Sequence, residues 1–277
     1  MKDALTRYRM PLLFWLLFET IAVVLWLTQD NLFYLFNFSY IGTSVAVGLA
    51  LYAARYRYAR RAVQFAVGLY MLAFLGFING ENMQIEGFWV YLFKGVFAGA
   101  TLHYLIAKIA GPALFGRGWC GYACWTSMVL DLLPFPTRQG ERLSCTWLRF
   151  VMLAGSMAVA AFLLFVVEDT EASLFRAFVL GNVVYYAAGI ALAFKLRDNR
   201  AFCKYLCPVA LLMKPAASIS LSRVTCDESL CVHCGACKKA CPMDVDMTDN
   251  SRRRANGTEC ILCLNCVEAC PKKALKL

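Results

Sequence analysis

Six apolar stretches between Met10 and Phe194 limit what this chain can fold into more than any other feature. They run Met10–Leu27, Phe38–Ala54, Ala62–Ile78, Phe88–Ala107, Trp147–Val167 and Leu174–Phe194. Each is long enough, or nearly so, to cross about 30 Å of hydrocarbon as a helix of about 20 residues. The composition agrees: 60% of residues are hydrophobic and 17% charged, where a soluble domain carries roughly 25% charged. The first stretch follows Lys2, Arg7 and Arg9, and no small-residue cleavage site comes after it, so it reads as a retained anchor.

Charge alternates across the connections. Lys2, Arg7 and Arg9 precede the first stretch. Arg55, Arg57, Arg60 and Arg61 follow the second, and Lys108, Arg117, Arg138 and Arg142 follow the fourth. The other connections hold Asp30, then Glu81 and Glu86, then Glu168, Asp169 and Glu171, with no Lys or Arg before Arg176. Basic residues stay on the cytoplasmic side, so six spans with both termini in the cytoplasm of a bacterial inner membrane are expected. The net charge of +10 is then a matter of orientation and lipid contact, and no nucleic-acid partner is expected.

The fourteen cysteines are unevenly placed: none precedes Cys120, and nine lie between Cys226 and Cys270. After Phe194 the chain turns polar and repeats one motif. Cys231-x2-Cys234-x2-Cys237-x3-Cys241-Pro242 is followed, 29 residues on, by Cys260-x2-Cys263-x2-Cys266-x3-Cys270-Pro271. Zinc sites pair CxxC units across longer loops, whereas two complete runs of this kind hold two [4Fe–4S] clusters, each run lending its fourth cysteine to the other. One cluster is therefore assigned Cys231, Cys234, Cys237 and Cys270, and the other Cys260, Cys263, Cys266 and Cys241. Gly235 suits a close backbone approach, and the prolines suit a sharp turn. The expected architecture is an all-α membrane domain of six transmembrane helices over 1–200, a junction over 201–224, and a small α+β two-cluster ferredoxin domain over 225–277.

Four of the remaining cysteines form a second repeat, Trp119-Cys120-Gly121-Tyr122-Ala123-Cys124 and Phe202-Cys203-Lys204-Tyr205-Leu206-Cys207. On a helix, i and i+4 share a face, so two pairs could converge on a third, iron or iron–sulfur, site. A packing role or a reactive thiol pair is the alternative. Cys145 and Cys226 read as buried thiols.

The run Gly116-Arg117-Gly118-Trp119-Cys120, the later Cys203-x3-Cys207-Pro208 and the double ferredoxin run resemble the membrane polyferredoxins. These include NapH-like quinol-dehydrogenase subunits, NosR-like maturation proteins and a copper-reducing oxidase assembly factor. Trp125 stands where that pattern has a second proline, and six spans exceed its four or five. The resemblance implies an electron-transfer subunit of an oxidoreductase complex. It would link a cytoplasmic ferredoxin, flavodoxin or flavoenzyme to membrane quinone or to membrane or periplasmic redox subunits. A copper reductase or assembly factor fed by the same clusters is the alternative, since soft thiolates suit Cu(I).

Glu19 and Lys94 fall within expected spans and could pair there. His103 reads as a core histidine. With His233 the only other histidine, this chain alone cannot form a transmembrane bis-histidine haem. Arg252-Arg253-Arg254 could steer an acidic partner, or could simply be a solvated loop near anionic lipid.

Overall fold

The computed structural model describes residues 2–97, 99–137 and 141–277; Arg138, one of the basic residues of the fourth connection, lies outside them. The chain divides into two compact units, Met1–Tyr70 with Tyr122–Trp125, and Met71–Gly121 with Thr126–Leu277.

The first unit is built from α1 (Lys2–Gln29), α2 (Leu32–Ala53) and the start of α3 (Ala59–Ile78). Asn31 caps α2 by accepting from the Phe33 N–H at 2.9 Å, so this helix begins earlier than hydropathy suggested. A Cβ on Gly42 would lie 2.3 Å from that of Phe18; glycine there lets α1 and α2 approach closely. The Glu19 carboxylate accepts from Ser39 Oγ at 2.6 Å, which partly offsets the cost of a carboxylate on an apolar helix.

In the second unit the helices are α4 (Ile85–Phe93), α5 (Ala100–Phe115), α8 (Leu148–Phe165), α9 (Thr170–Leu196) and α11 (Val209–Ala217). The short helices α6 (Gly118–Tyr122), α7 (Trp125–Leu130) and α10 (Ala201–Tyr205) carry or adjoin the CxxxC motifs. Among the described residues, five helices are long and apolar enough to cross a membrane: Tyr8–Gln29, Leu32–Ala53, Ala59–Ile78, Leu148–Phe165 and Thr170–Leu196.

The fourth expected span is not one helix. α4 stops at Phe93, Gly95 and Gly99 adopt φ of +69° and +44°, and α5 starts at Ala100. The rings of Phe88 and Tyr104 stack with centroids 4.7 Å apart, where a straight helix at ~1.5 Å per residue would separate them by about 24 Å. The chain therefore doubles back. Hydropathy counted the two glycines as apolar, but their left-handed backbone ends one helix and starts the next. Lys94 caps α4 at an exposed turn instead of lying inside a span.

The cysteine-rich segment opens with β1 (Thr225–Cys226) and closes with β2 (Leu275–Lys276), paired antiparallel with Thr225 opposite Lys276. Between them lie α12 (Ala236–Ala240) and α13 (Asn265–Glu268). The 29-residue sequence repeat is also a backbone repeat. His233, Gly235 and Asp244 have positive φ, and so do Leu262, Leu264 and Lys273 at the equivalent positions.

Arg252 and Arg254 hold this segment together internally. Arg252 donates to the Ser220 carbonyl at 2.7 Å, just beyond the C-terminus of α11, and buried Arg254 donates to the Val224 carbonyl at 2.7 Å. The steering role expected for the triplet is thus not that of three free charges. Main-chain carbonyls of the connection between α11 and β1 take up two of the guanidiniums.

Candidate metal centre

The repeated left-handed residues bend each CxxCxxC loop back on itself, and the thiols gather into two sets. Cys231, Cys234, Cys237 and Cys270 line one cavity together with Gly235, Pro271 and Cys226. The fourth thiol of this set comes from the other run. In the second set, burial pushes Cys266 up to about 12, reinforced by its neighbours Cys263, Cys241 and Cys260. Burial likewise raises Cys241 and Cys260.

The two crossing cysteines sit in matching cradles of backbone N–H groups. Val245 N–H donates to Cys241 Sγ at 3.4 Å, and Ala274 N–H donates to Cys270 Sγ at 3.3 Å. For Cys270, burial raises the thiol, but the N–H groups of Ala274, Lys272, Leu275 and Lys273 outweigh it and the net shift is downward. Donors aimed at a sulfur favour its charged form. Four converging thiols, a tight glycine-bearing loop and donors at the crossing sulfur fit a cubane, whose binding displaces thiol protons.

Among the described residues, no group of three or more His, Cys, Asp or Glu closes on a point as a single ion requires. A single ion draws its sulfurs in to ~2.3 Å, whereas a cubane holds its ligands outside a cage of iron and sulfide. Cys226 lies beside the first set. Burial, and a hydrogen bond with the Cys231 thiol, push it up to about 11.

The CxxxC pairs do not lie on single helix faces. α6 ends at Tyr122 and α10 at Tyr205, before the second cysteine of each pair. Pro208 disfavours helical backbone at Cys207. Instead, each motif has a fixed cation three residues before its first cysteine. Arg117 and Arg200 are fully or almost fully buried, with Arg117 Nη2 at 4.0 Å from Cys120 Sγ and Arg200 Nη1 at 4.0 Å from Cys203 Sγ. Burial works to raise the Cys120 thiol, but Arg117, with Lys108 and Arg200, lowers it. The Arg117 charge is felt by Cys120, Cys207 and Cys203 alike. Arg117 thus lies beside Cys120 and acts electrostatically on Cys203 and Cys207, while Cys124 falls with the first unit.

Glu259 joins this region to the cluster loops. It is buried immediately before Cys260, and Arg149 grips it with both nitrogens, at 2.7 and 3.0 Å. Arg117 pairs with the same carboxylate, Lys214 approaches to 3.0 Å and Arg142 to 3.6 Å. Despite burial, these cations hold its carboxyl well below the usual range. Arg149 also donates to the Cys203 carbonyl at 2.6 Å, and Arg117 N–H to the Cys260 carbonyl at 3.2 Å. A second joint sets Lys204, between the cysteines of the later pair, against Asp198 at 2.8 Å and Asp244 at 2.7 Å. The sequence showed Arg117 and Arg142 only as basic residues of a connection, and none of these residues as a partner of Glu259. The repeated arginine three residues before each CxxxC was the signal that could have found two of them.

The helical region and the paired thiolate sets define a protein with apolar membrane-type helices and 4Fe–4S ferredoxin-type domains. Residues 223–271 match the 4Fe–4S dicluster domain family, and residues 97–135 and 181–223 match a 4Fe–4S binding domain family. The chain belongs to the same family as the uncharacterized protein MJ0749 of Methanocaldococcus jannaschii. The two are 38% identical over 209 residues, 72% of this chain and 79% of that protein. It is also similar to the Escherichia coli protein named "Putative electron transport protein YccM", at 30% identity over 176 residues, 62% of this chain and 46% of that one. A second such protein, YsaA, is 34% identical over 80 residues, 27% of this chain and 48% of that one. The chain thus spans about half the length of each of these two E. coli relatives. No solved structure matches it.

Proposed function

We propose that this protein carries electrons through [4Fe–4S] clusters between a cytoplasmic redox partner and the membrane, ending on a quinone or a membrane or periplasmic subunit, as in NapH-like and NosR-like proteins. In this reading Cys231, Cys234, Cys237 and Cys270 hold one cluster and Cys260, Cys263, Cys266 and Cys241 the second. Cys120, Cys124, Cys203 and Cys207 hold a third.

The ion-paired joint at Glu259 carries this reading. It ties the backbone at Cys260 to Arg117 and, through Arg149, to the Cys203 carbonyl, which supports a short electron path between the second cluster and the CxxxC thiols. The cationic surroundings of Cys120, and a family match that includes both CxxxC pairs, favour iron–sulfur ligation over packing. Cys124 enters on the strength of the repeated motif.

Protein purified without oxygen should hold about twelve irons with three cubanes, against about eight with two. Cys203→Ser should bring the count back to about eight and leave the ferredoxin signals in place. A wild-type count of about eight would remove the third centre.

Six crossings remain the proposed topology, with α5 taking the place of the broken fourth span. Reporter fusions after Asn79 and after Arg142 should then read outside and inside respectively, and the same side for both would end that topology. The copper reading draws on one contact, the Met213 thioether at 3.5 Å from Cys120 Sγ, a soft donor pair that suits Cu(I). Stoichiometric Cu(I) uptake that displaces no iron would favour it.

A further inference from the structure

The serine-rich segment 218–222, just past α11, is tied to the end of α5. Leu221 N–H donates to the Ala113 carbonyl at 2.9 Å, and Ser222 N–H to the Leu114 carbonyl at 2.8 Å. Its residues alternate in environment. Ser218, Ser220 and Ser222 line a cavity, while Ile219 and Leu221 between them are 64% and 74% exposed. Leu114, bonded to this segment, is exposed as well.

Arg223, Arg252 and Arg254 line the same cavity, and among the described residues no Asp or Glu does. Its volume, counted out to its open mouth, is about 420 Å³. Backbone carbonyls hold each guanidinium by one terminal nitrogen. Arg252 Nη1 donates to the Ser218 and Ser220 carbonyls, Arg254 Nη1 to that of Val224, and Arg223 Nη2 to those of Asn250 and Ser251. These bonds orient the three groups without neutralising any of them. Glycine at 257 leaves room for Arg254, since a Cβ there would lie 2.8 Å from Arg254 Cγ.

The neighbouring carboxylates are engaged elsewhere. Asp249 accepts from Ser251 N–H at 2.7 Å and Ser251 Oγ at 2.9 Å, and Glu259 is held by Arg117 and Arg149. Burial, then the charges of Arg254 and Arg252, hold Arg223 below its usual range, against the pull of Asp249. Like charges gathered without a counter-charge are costly, and the planar arginine fork matches the oxygens of a phosphate.

We infer that this cavity binds the phosphate of an anionic phospholipid headgroup, with the acyl chains lying along Ile219, Leu221 and Leu114. Free phosphate shares the chemistry of the three arginines and the serine hydroxyls. The exposed apolar side chains at the cavity favour the lipid, which satisfies both surfaces at once. The lipid source rests on the topology proposed above, in which the end of α5 faces the cytoplasmic headgroups. Cys260 lines the same cavity, so a bound lipid would fasten the second cluster loop to the headgroup layer.

The test is ligand binding by the full chain, purified anaerobically and delipidated in detergent, read by native mass spectrometry and calorimetry. The probes are short-chain phosphatidylglycerol, phosphatidylcholine and inorganic phosphate. One equivalent of phosphatidylglycerol should bind saturably, and phosphatidylcholine, whose choline offsets the phosphate charge, more weakly. Arg223→Gln should weaken phosphatidylglycerol about tenfold or more, as loss of a hydrogen bond between charged groups does. Ser222→Asp, which gives the arginines a carboxylate of their own, should abolish binding without lowering the melting temperature. Arg61→Gln, on an exposed residue of α3, should bind as the wild type does. Equal binding by wild type, Arg223→Gln and Ser222→Asp would overturn the site. Uptake of inorganic phosphate without phosphatidylglycerol would assign the cavity to a free anion and overturn the lipid. If neither probe binds but an acidic flavodoxin does, and Arg223→Gln releases it, the cavity belongs to a protein partner and the inference fails. Phosphatidylglycerol binding that responds to both variants would support the site even if the reporter fusions overturned the topology.

Discussion

Replacing Glu259 with glutamine is expected to destabilise the protein by about 3–5 kcal/mol, the cost of removing one partner from a buried ion pair. The neutral amide would leave Arg117, Arg149 and Lys214 facing one another with no negative charge between them. Two of these, Arg117 and Arg149, are fully buried and cannot turn to water. The measurements are thermal unfolding and the iron content of anaerobic preparations, which should fall first at the Cys260 loop. The acid response has a definite sign. The folded-state carboxyl is held below its ordinary value, so its stabilisation is complete above the unfolded value of about 4.3. It is lost progressively as pH falls from that value through the lower folded one, and stability should be flat in this respect between about pH 5 and 8. A glutamine variant with unchanged melting temperature and full iron would show that the joint does not hold the segment.

Exchanging the two crossing cysteines should separate the clusters. Cys270→Ser should remove the signal of the cluster built on the Cys231 loop, although Cys270 lies in the second run. Cys241→Ser should remove the other. Each should cost about four irons, read by iron analysis together with low-temperature electron paramagnetic resonance. If each serine instead abolished the cluster of its own run, the crossed arrangement would fail. The matching N–H cradles at Cys241 and Cys270 are the structural reason to expect symmetric results.

Much of this protein follows from local pattern. Five of the apolar stretches are helices long enough to cross a membrane, because an unbroken apolar run has few other ways to satisfy its backbone in lipid. The 29-residue cysteine repeat likewise carries over into the backbone, since the tight loops need the same left-handed turns in both copies. The sequence by itself determined these features.

Tertiary structure alone decided the rest. Hydropathy averages over glycine, so the break at Gly95 and Gly99 was invisible until the doubled-back chain laid Phe88 on Tyr104. The CxxxC spacing suggested one helix face, but the helices end within each motif, and the thiols are organised by Arg117 and Arg200 instead. Glu259 read as one acidic residue among eighteen; its role arises because segments more than a hundred residues apart bring buried cations onto it. Long-range ion pairs leave no periodic trace in a sequence, because their cost and benefit depend on burial that only the folded chain creates.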